Sequence, residues 1–355
     1  MLVIKWGIHM YKHIILSRFG GLGDMVMMSP LLKGIKSLYP DTKLTVVGEE
    51  NAKQLMEAYP FVDEYLTFDK TKRSSWHLIK KLWRSDIVYL MDTLYHISII
   101  YGLACIKKRV GLPHKRKFWL TDCLETEPWM NHAFEPVVYA HFLKEATGID
   151  VTILPNWDTF VYPDARDVDK QHVKELLEPL QGKDYIVSSL ETGGYAKNWP
   201  KEHWITLFND LNKIGKSVVL IGAESQNYTN LELPDNVVNL IGKTNLLEVG
   251  EIIRNAELVI NGCSFPVHVA NAFNTPVIGL YGSEPSWRCA PQRIYKDVIS
   301  PVDCKGCDVL YNSPGWCEKP FCMDRLLPST VMEYVKKFYS EGKPLGAYKL
   351  VTGKS

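Results

Sequence analysis

A single aspartate closes a glycine-rich loop near the start of the chain. The loop reads Gly20-Gly21-Leu22-Gly23-Asp24, and it lies between the apolar run His13–Ser17 and a helix-like pattern that begins at Met25. Glycines carry no side-chain bulk, so a substrate can approach the backbone closely, and a carboxylate held there can accept a proton from a hydroxyl group. Asp24 is therefore a candidate general base, although the same position also suits a helix cap or a partner of the helix dipole.

A second set of polar residues follows strand-like runs in the C-terminal half. The loops after four such runs offer backbone amides, hydroxyls, an ammonium and a carboxylate, which together suit a nucleotide diphosphate. The residues are Thr192, Gly193 and Lys197 after the first run, Glu224 after the second, Ser264 and His268 after the third, and Gly282 after the fourth. Three of them also have structural interpretations: a solvated lysine for Lys197, a helix cap for Glu224 and a packing residue for His268.

Alternating strands and helices must position these residues. Short β-rich runs alternate with amphipathic helices from residue 12 onward, a pattern typical of parallel sheets with right-handed crossovers. Prolines and aspartates between residues 154 and 168 indicate a linker. We therefore predict an α/β protein with two Rossmann-like, doubly wound parallel-sheet domains that face each other across a cleft. The predicted domains are 1–160 and 161–327, followed by a helix and tail, 328–355, that could cross back to the first domain.

Bulk composition limits the classes of function. The chain has 355 residues, 46% of them hydrophobic, which favours two well-cored domains. Its 41 Lys and Arg against 40 Asp and Glu leave a net charge of +1, so no global field recruits nucleic acid. Neither a signal peptide nor a membrane span is predicted, which indicates a cytoplasmic protein. The chain lacks a P-loop motif, and Val26 interrupts a dinucleotide-binding glycine fingerprint.

Four cysteines lie close together late in the chain. Cys304 and Cys307 have Cys-x-x-Cys spacing, and Cys317 and Cys322 follow. These residue types could hold a structural zinc ion, but a disulfide or free thiols fit the irregular spacing as well.

An ordered set of motifs resembles glycosyltransferase family 9, the ADP-heptose:lipopolysaccharide heptosyltransferases and their relatives. The similarity spans roughly residues 12 to 335, and the ordered set is far more specific than any single member. The motifs run from the glycine loop that ends at Asp24, through Ser29-Pro30-Leu31 and Tyr39-Pro40, to Lys197-x-Trp199-Pro200, Gly222-Ala223-Glu224, Gly242-Lys243-Thr244-x-Leu246, His268-x-Ala270-x-Ala272, Thr275-Pro276-Val277 and Tyr281-Gly282.

The resemblance implies a GT-B fold and an inverting transfer that requires no metal or other cofactor. A heptose or related sugar would move from a nucleotide diphosphate, ADP-heptose in the family, to a lipopolysaccharide-core or surface-glycan acceptor. Asp24 would be the general base for the acceptor hydroxyl. The donor would be held by the C-terminal domain through a set of matching positions, namely Thr192, Gly193, Lys197, Glu224, Thr244, Ser264, His268 and Gly282.

The N-terminal domain would then hold the acceptor. Arg18 and Gly21 flank the aspartate, and Lys115 and Arg116 belong to a basic stretch with aromatic neighbours. Such cations suit an acidic glycan or a phosphorylated glycolipid, and the same charges would allow peripheral contact with the inner, anionic face of a membrane. A solvated basic face explains them equally well.

One segment departs from the family pattern. Where the family has Asp-Ser/Thr-Gly, this chain has Cys263-Ser264-Phe265, so it lacks the acid that the family uses close to the donor sugar. A thiol cannot hold sugar hydroxyls as a carboxylate does, and a phenyl ring occupies space that glycine leaves open. Three alternatives therefore stay open: a different donor sugar, a non-catalytic relative that binds a nucleotide sugar, and an epimerase-like reaction.

Overall fold

The computed structural model describes residues 11–223, 232–290, 296–304, 306–307 and 321–341. The chain forms two compact units, one of residues 1–127 and 135–159 and the other of residues 128–134 and 160–355. Each unit contains a six-stranded parallel sheet with helices packed against it. The predicted fold class, two Rossmann-like α/β domains, is confirmed.

The first unit is built around a sheet in the order β3-β2-β1-β4-β5-β6. Its strands are β1 His13–Ser17, β2 Lys43–Gly48, β3 Glu64–Thr67, β4 Ile87–Leu90, β5 Lys108–Gly111 and β6 Asp122–Cys123. Its α-helices are α1 Leu22–Met27, α2 Ser29–Leu38, α3 Lys53–Ala58, α4 Lys72–Lys81, α5 Tyr95–Leu103 and α6 Glu135–Thr147. Short 3-10 helices cover Glu50–Ala52, His114–Trp119 and Val151–Ile153.

The second unit repeats this architecture with the order β12-β11-β10-β7-β8-β9. Its strands are β7 Tyr185–Ser188, β8 Ser217–Leu220, β9 Val237–Asn239, β10 Leu258–Gly262, β11 Val277–Tyr281 and β12 Lys296–Ile299. Its α-helices are α7 Asp167–Leu176, α8 Lys201–Lys213, α9 Leu246–Arg254, α10 Phe265–Phe273, α11 Ser286–Cys289 and α12 Pro328–Ser340. Short 3-10 helices cover Pro128–His132, Glu178–Leu180 and Tyr195–Lys197.

In each sheet, successive strands are added first on one side of the first strand and then on its other side, so the strand order reverses at β1 and at β7. In the first unit, β1 pairs with β2 on one side and with β4 on the other. In the second unit, β7 pairs with β8 and with β10 in the same way. Crevices outside the carboxyl ends of strands at such reversals are the usual ligand sites of open α/β sheets. The loops after β1, β4, β7 and β10 are therefore the places where a site is expected.

Buried aliphatic side chains fix these sheets in place. β1 and β4 are buried along almost their whole length, as parallel strands covered on both faces must be. In the second unit, Trp204, Phe208 and Val218 belong to one large core cluster. Two strands have no clear sequence pattern: β6, which has only two residues, both exposed, and β12, which pairs only at the sheet edge. Short edge strands carry too few buried positions to give a pattern.

The last described helix packs within the second unit. Val331, Val335 and Phe338 of α12 are buried in the same core cluster as Trp204 and Phe208 of α8. The sequence left open a return of this helix to the first domain, but as far as Ser340 its apolar face is occupied by the second core. Among the described residues, no helix combines the length and the apolar character that crossing a bilayer requires.

Candidate active site

Asp24 lies in the first turn of α1, directly after the strand at the centre of the first sheet. Gly21 is the N-cap residue of this helix, with extended backbone angles, and the Asp24 amide donates to the Gly21 carbonyl at 3.0 Å. A carboxylate in a first helical turn is favoured by the helix dipole. A Cβ atom at Gly20 would stand 2.4 Å from Asp24 Oδ2, so the aspartate can adopt this position only beside a glycine.

Arg18 holds the aspartate in a defined orientation. Its Nη2 lies 3.1 Å from Asp24 Oδ1, its Nη1 donates to the Met91 carbonyl at 2.9 Å, and its guanidinium lies 5.4 Å from the Tyr139 ring centre. Burial opposes the charge on Arg18, but Tyr139, Asp24 and Glu135 outweigh it and raise the pKa of the guanidinium. The Asp24 side chain keeps 24% of its surface exposed, whereas Arg18 keeps 11%. Arg18 therefore positions the carboxylate, and little of the Arg18 side chain is exposed to contact an acceptor.

The loop after β4 contributes a buried ion pair that the sequence analysis did not recognise. Asp92 accepts a hydrogen bond from Ser17 Oγ at 3.2 Å and lies 3.4 Å from Arg116 Nη1. Burial raises the pKa of the Asp92 carboxyl, while the Leu94 amide, Arg116 and Arg18 oppose the shift. The pair joins the 3-10 helix His114–Trp119 to the strand ends next to the Asp24 loop.

The prediction that Arg116 binds the acceptor is therefore corrected. Arg116 is 0% exposed, and it donates to the Leu112 and Asp92 carbonyls as well as to the Asp92 carboxylate. Burial lowers the pKa of its guanidinium, and Asp92 counteracts that effect. Its neighbour Lys115 is exposed, and a Cβ atom at Gly21 would meet open space. Both of these residues remain accessible to an acceptor.

In the second unit, the loop after β7 is held by its own polar groups. The Thr192 amide and hydroxyl both donate to Asn198 Oδ1, at 2.7 and 2.9 Å. A Cβ atom at Gly193 would have no atom of the described residues within 4 Å, so this part of the loop is open among them. Ser283 Oγ donates to the Ala196 carbonyl at 3.3 Å, which joins the loop to the one after β11.

Lys197 shares a buried carboxylate with a second cation. Its Nζ lies 3.3 Å from Glu284 Oε2, and Arg288 Nη1 lies 3.1 Å from the other oxygen, Oε1. Burial acts to lower the pKa of Lys197, but Glu284 and the thiols of Cys263 and Cys289 outweigh it, so the pKa lies above its ordinary value. Two cations therefore flank the one carboxylate of Glu284. The sequence pointed to Lys197, and it left out Arg288, which has no motif of its own.

The loop after β10 is tied to the loop after β7. Asn261 Oδ1 accepts from the Ser189 amide at 2.6 Å, and Asn261 Nδ2 donates to Ser264 Oγ at 2.8 Å. Ser264 is also the N-cap residue of α10. These bonds bring Ser264 to the place where β7 and β10 lie side by side. Thr192 lies there too, since a Cβ atom at Gly262 would stand 3.2 Å from Thr192 Cγ2.

The residues that depart from the family pattern are packed into the protein. Cys263 is buried, and its sulfur lies 2.7 Å from that of Cys289, both being free thiols. Burial raises the pKa of the Cys289 thiol. The Phe265 ring lies 6.0 Å from the Tyr162 ring. These contacts support a packing role for Cys263 and Phe265.

Three predicted donor residues have surroundings that the sequence did not show. His268 is only 2% exposed, and its ring lies 6.3 Å from Phe160, so it faces the interior. Gly282 is required by packing, because a Cβ atom there would stand 2.6 Å from Met323 Sδ and 2.8 Å from Cys322 Sγ. Thr244 follows β9, two strands away from the β7–β10 reversal. Glu224 lies outside the described residues.

The late cysteines are not gathered into a metal site within the described part of the chain. Cys304 and Cys307 are exposed, Cys322 is buried, and Cys317 lies outside that part. No group of three or more metal-ligating side chains occurs among the described residues. Burial raises the pKa of the Cys322 thiol, and the nearby Cys307 and Cys304 add to the effect.

Comparison with known proteins decides the family. Residues 75–307 match the family model described as glycosyltransferase family 9 (heptosyltransferase). The chain belongs to glycosyltransferase family 9. It is 24% identical over 307 residues to the lipopolysaccharide core heptosyltransferase OpsX of Haemophilus influenzae, which covers 81% of this chain and 84% of that protein.

Solved structures agree with this assignment at the level of fold. Escherichia coli ADP-heptose lipopolysaccharide heptosyltransferase II has a TM-score of 0.72 at 20% identity, over 94% of this chain and all of that one. The iron-containing heptosyltransferase TibC of enterotoxigenic Escherichia coli, solved with ADP-D-beta-D-heptose, has a TM-score of 0.60 at 15% identity, over 95% of this chain and 78% of that one. The protein is thus a glycosyltransferase with two Rossmann-like domains.

The geometry gives this family 9 glycosyltransferase two separate chemical resources. The first unit presents an oriented, partly exposed carboxylate at its strand reversal. The second unit presents two cations, a hydroxyl-lined glycine loop and a helix start at its own reversal. A base and a site for a leaving diphosphate are the two elements that transfer of an activated sugar requires.

Proposed function

We propose that this protein transfers heptose or a related sugar from a nucleotide diphosphate to a lipopolysaccharide-core or surface-glycan acceptor, with inversion at the anomeric carbon. The observation that carries the proposal is the Lys197–Glu284–Arg288 group at the strand reversal of the second sheet. Two cations flank one carboxylate in this group. Cations close together suit a diphosphate that gains charge as the sugar departs. The relatives named as ADP-heptose enzymes supply the choice of donor.

In this reaction, Asp24 accepts the proton of the acceptor hydroxyl as that oxygen attacks the anomeric carbon. Arg18 holds Asp24 Oδ1 at 3.1 Å, and the open space beside Gly21 gives the acceptor room to approach. One displacement at carbon inverts the configuration, so the proposal requires an inverting enzyme. The departing diphosphate is stabilised by Lys197, Arg288 and the backbone amides of the loop after β7, which contains Gly193. No metal ion is assigned to that step.

The altered Cys263-Ser264-Phe265 segment bears on donor choice. Cys263 is buried against Cys289, and the partly buried Phe265 packs against Tyr162, so both side chains contact the protein itself. The Asp24 carboxylate and the Lys197–Glu284–Arg288 group are both present, which favours a transferase with altered donor preference over a protein that only binds a nucleotide sugar.

The test compares two variants in two assays. Asp24→Asn should lower the transfer rate by about 10²–10⁴-fold, the usual contribution of a general base, and leave ADP affinity by calorimetry unchanged. Lys197→Ala should weaken ADP binding, whereas Lys201→Ala, an exposed lysine of the same segment, should not. Equal loss of ADP binding in Asp24→Asn and Lys197→Ala would contradict the division of roles. NMR of the product anomer tests inversion.

A further inference from the structure

One surface of the first unit combines exposed aromatic rings with a concentration of cations. Residues 70–84 and 105–121 together contain twelve Lys and Arg and no Asp or Glu, in a chain whose net charge is +1. The first segment contains α4, and the second contains the 3-10 helix His114–Trp119. This uneven distribution of Lys and Arg indicates a local positive electrostatic potential that the net charge of the chain does not reveal.

Along α4 the exposed residues alternate between cations and indole rings. Lys72, Trp76 and Lys80 are spaced four residues apart and therefore share one face, and Trp83 follows at the end of the helix. Trp76 is 64% exposed and Trp83 is 53% exposed, although large aromatic side chains are normally buried. The opposite face carries Leu78, which is buried in the core, so the indoles are not needed for packing.

The ends of three elements meet beside Trp83. The Arg84 amide donates to the Ala104 carbonyl at 2.9 Å, which places the end of α4 next to Leu103 at the end of α5. A Cβ atom at Gly102 would stand 2.5 Å from the Trp119 ring, so the 3-10 helix rests on the same end of α5. Phe118, in edge contact with Trp119, is 86% exposed.

Most cations of this surface keep their charge available. Three of the twelve cations are paired with acids: Lys81 with Glu64, Lys107 with Asp86, and the buried Arg116 with Asp92. Within the described ranges, no ion pair involves Lys72, Arg73, Lys80, Lys115 or Lys117. A partner that complements the surface must therefore be anionic and must also accept protruding apolar side chains.

We propose that this surface, formed by α4, the end of α5 and the 3-10 helix His114–Trp119, docks the protein onto an anionic lipid bilayer. Trp side chains are favoured at the headgroup level, and clustered Lys and Arg are attracted to anionic lipids. Leu103, 52% exposed, adds an aliphatic side chain to the aromatic rings, and an aliphatic side chain gains more from contact with lipid than from contact with a nucleic acid base. The inference rests on the proposed function in one respect, namely that a glycolipid acceptor would lie in such a bilayer.

The experiment measures binding to vesicles by co-sedimentation. Full-length protein should bind phosphatidylglycerol–phosphatidylethanolamine vesicles, bind phosphatidylcholine vesicles at least tenfold more weakly, and lose affinity in 0.5 M salt. Trp83→Ala/Phe118→Ala and Lys72→Gln/Lys80→Gln should each reduce binding to anionic vesicles by about tenfold. The controls Ile153→Ala/Val168→Ala and Lys174→Gln/Lys201→Gln change equally exposed residue types elsewhere, and they should bind as the wild type does.

Two outcomes would overturn the proposal: equal vesicle binding by the wild type and both surface variants, or binding to a single-stranded oligonucleotide that exceeds binding to vesicles. Circular dichroism and thermal unfolding of each variant exclude loss of fold, since the altered side chains are exposed. Calorimetry with ADP separates the two proposals. Normal vesicle binding with no ADP binding would leave the surface assigned and refute the proposed function, and the reverse result would refute only the surface.

Discussion

Asp24 and Lys197 each lie beside a partner of opposite charge. The two ion pairs differ in how much of the carboxylate stays exposed to solvent. Arg18 occupies one oxygen of Asp24, and the carboxylate retains exposed surface toward solvent. Glu284 instead lies between Lys197 and Arg288 and is itself buried. An incoming diphosphate would contact the two cations that Glu284 now links. At the scale of single residues, the proposed donor site thus requires the substrate to replace part of the contact between Glu284 and the two cations.

This arrangement predicts an unusual response of Glu284→Gln. The variant removes the carboxylate that two partly buried cations share, and we expect the free energy of unfolding to fall by about 1–3 kcal/mol. Saturating ADP should restore most of this loss, because a diphosphate supplies the missing negative charge. Thermal unfolding with and without ADP measures both effects.

The matched control for this prediction is Glu333→Gln, on the exposed surface of α12. It should change neither stability nor the shift produced by ADP. If ADP stabilises Glu284→Gln no more than it stabilises the wild type, the diphosphate does not contact the Lys197–Glu284–Arg288 group.

At the scale of elements, polar side chains link the two helices α7 and α9. His172 Nδ1 of α7 lies 2.7 Å from Glu248 Oε1 of α9. Asn245, the N-cap residue of α9, reaches back to Asp169 Oδ1 of α7 at 3.1 Å. The hydrogen bond with Glu248, and then its charge, raise the pKa of His172. The contact between α7 and α9 is therefore sensitive to pH.

The sign of this dependence follows from the raised pKa of His172. A histidine whose pKa is higher in the folded state than its ordinary value of 6.5 stabilises the fold below that value. The contribution is lost as pH rises through the folded pKa. In urea unfolding between pH 5.5 and 8.5, the difference in stability between the wild type and His172→Gln should be largest at the acidic end and vanish at the basic end.

His77→Gln provides the control for this measurement, because His77 is exposed on α4 of the other unit. Its stability should follow that of the wild type at every pH. A difference between the wild type and His172→Gln that stays constant with pH would mean that the histidine contributes through packing alone.

At the scale of the whole molecule, the chain carries almost equal numbers of acids and bases, yet it distributes them unevenly. The 41 cations and 40 acids nearly cancel, while residues 70–84 and 105–121 contain twelve cations and no acid. The proposed donor site also contains two cations, Lys197 and Arg288, beside Glu284. The two proposals therefore both depend on local charge, which the net charge of the chain does not reveal.

The whole protein should catalyse transfer without an added divalent cation. We expect the transfer rate to be unchanged, within error, after dialysis against EDTA, because Lys197, Arg288 and backbone amides supply the charge that a metal would otherwise provide. Metal analysis of the same sample shows whether the late cysteines retain zinc or iron in a structural site. Loss of activity that Mg²⁺ or Mn²⁺ restores would contradict this assignment of the diphosphate contacts.

The sequence by itself determined the fold class and the identity of the main loops. Strand and helix periodicities are local properties, so the two doubly wound domains, the Asp24 loop and the Lys197 loop could be predicted from their own segments. The ordered motifs added the family, because many weak signals in one order are jointly specific.

Only the tertiary structure decided which charged residues stay available. Arg116 and Lys115 are neighbours in the chain, yet the first is buried against Asp92 and the second is exposed. Arg288 and Lys197 both form ion pairs with Glu284, although they are far apart in the chain. In the same way, the segments that carry Trp83 and Phe118 both pack at the end of α5. Burial and pairing depend on side chains that come from distant segments, and the periodicity of one segment contains no information about them.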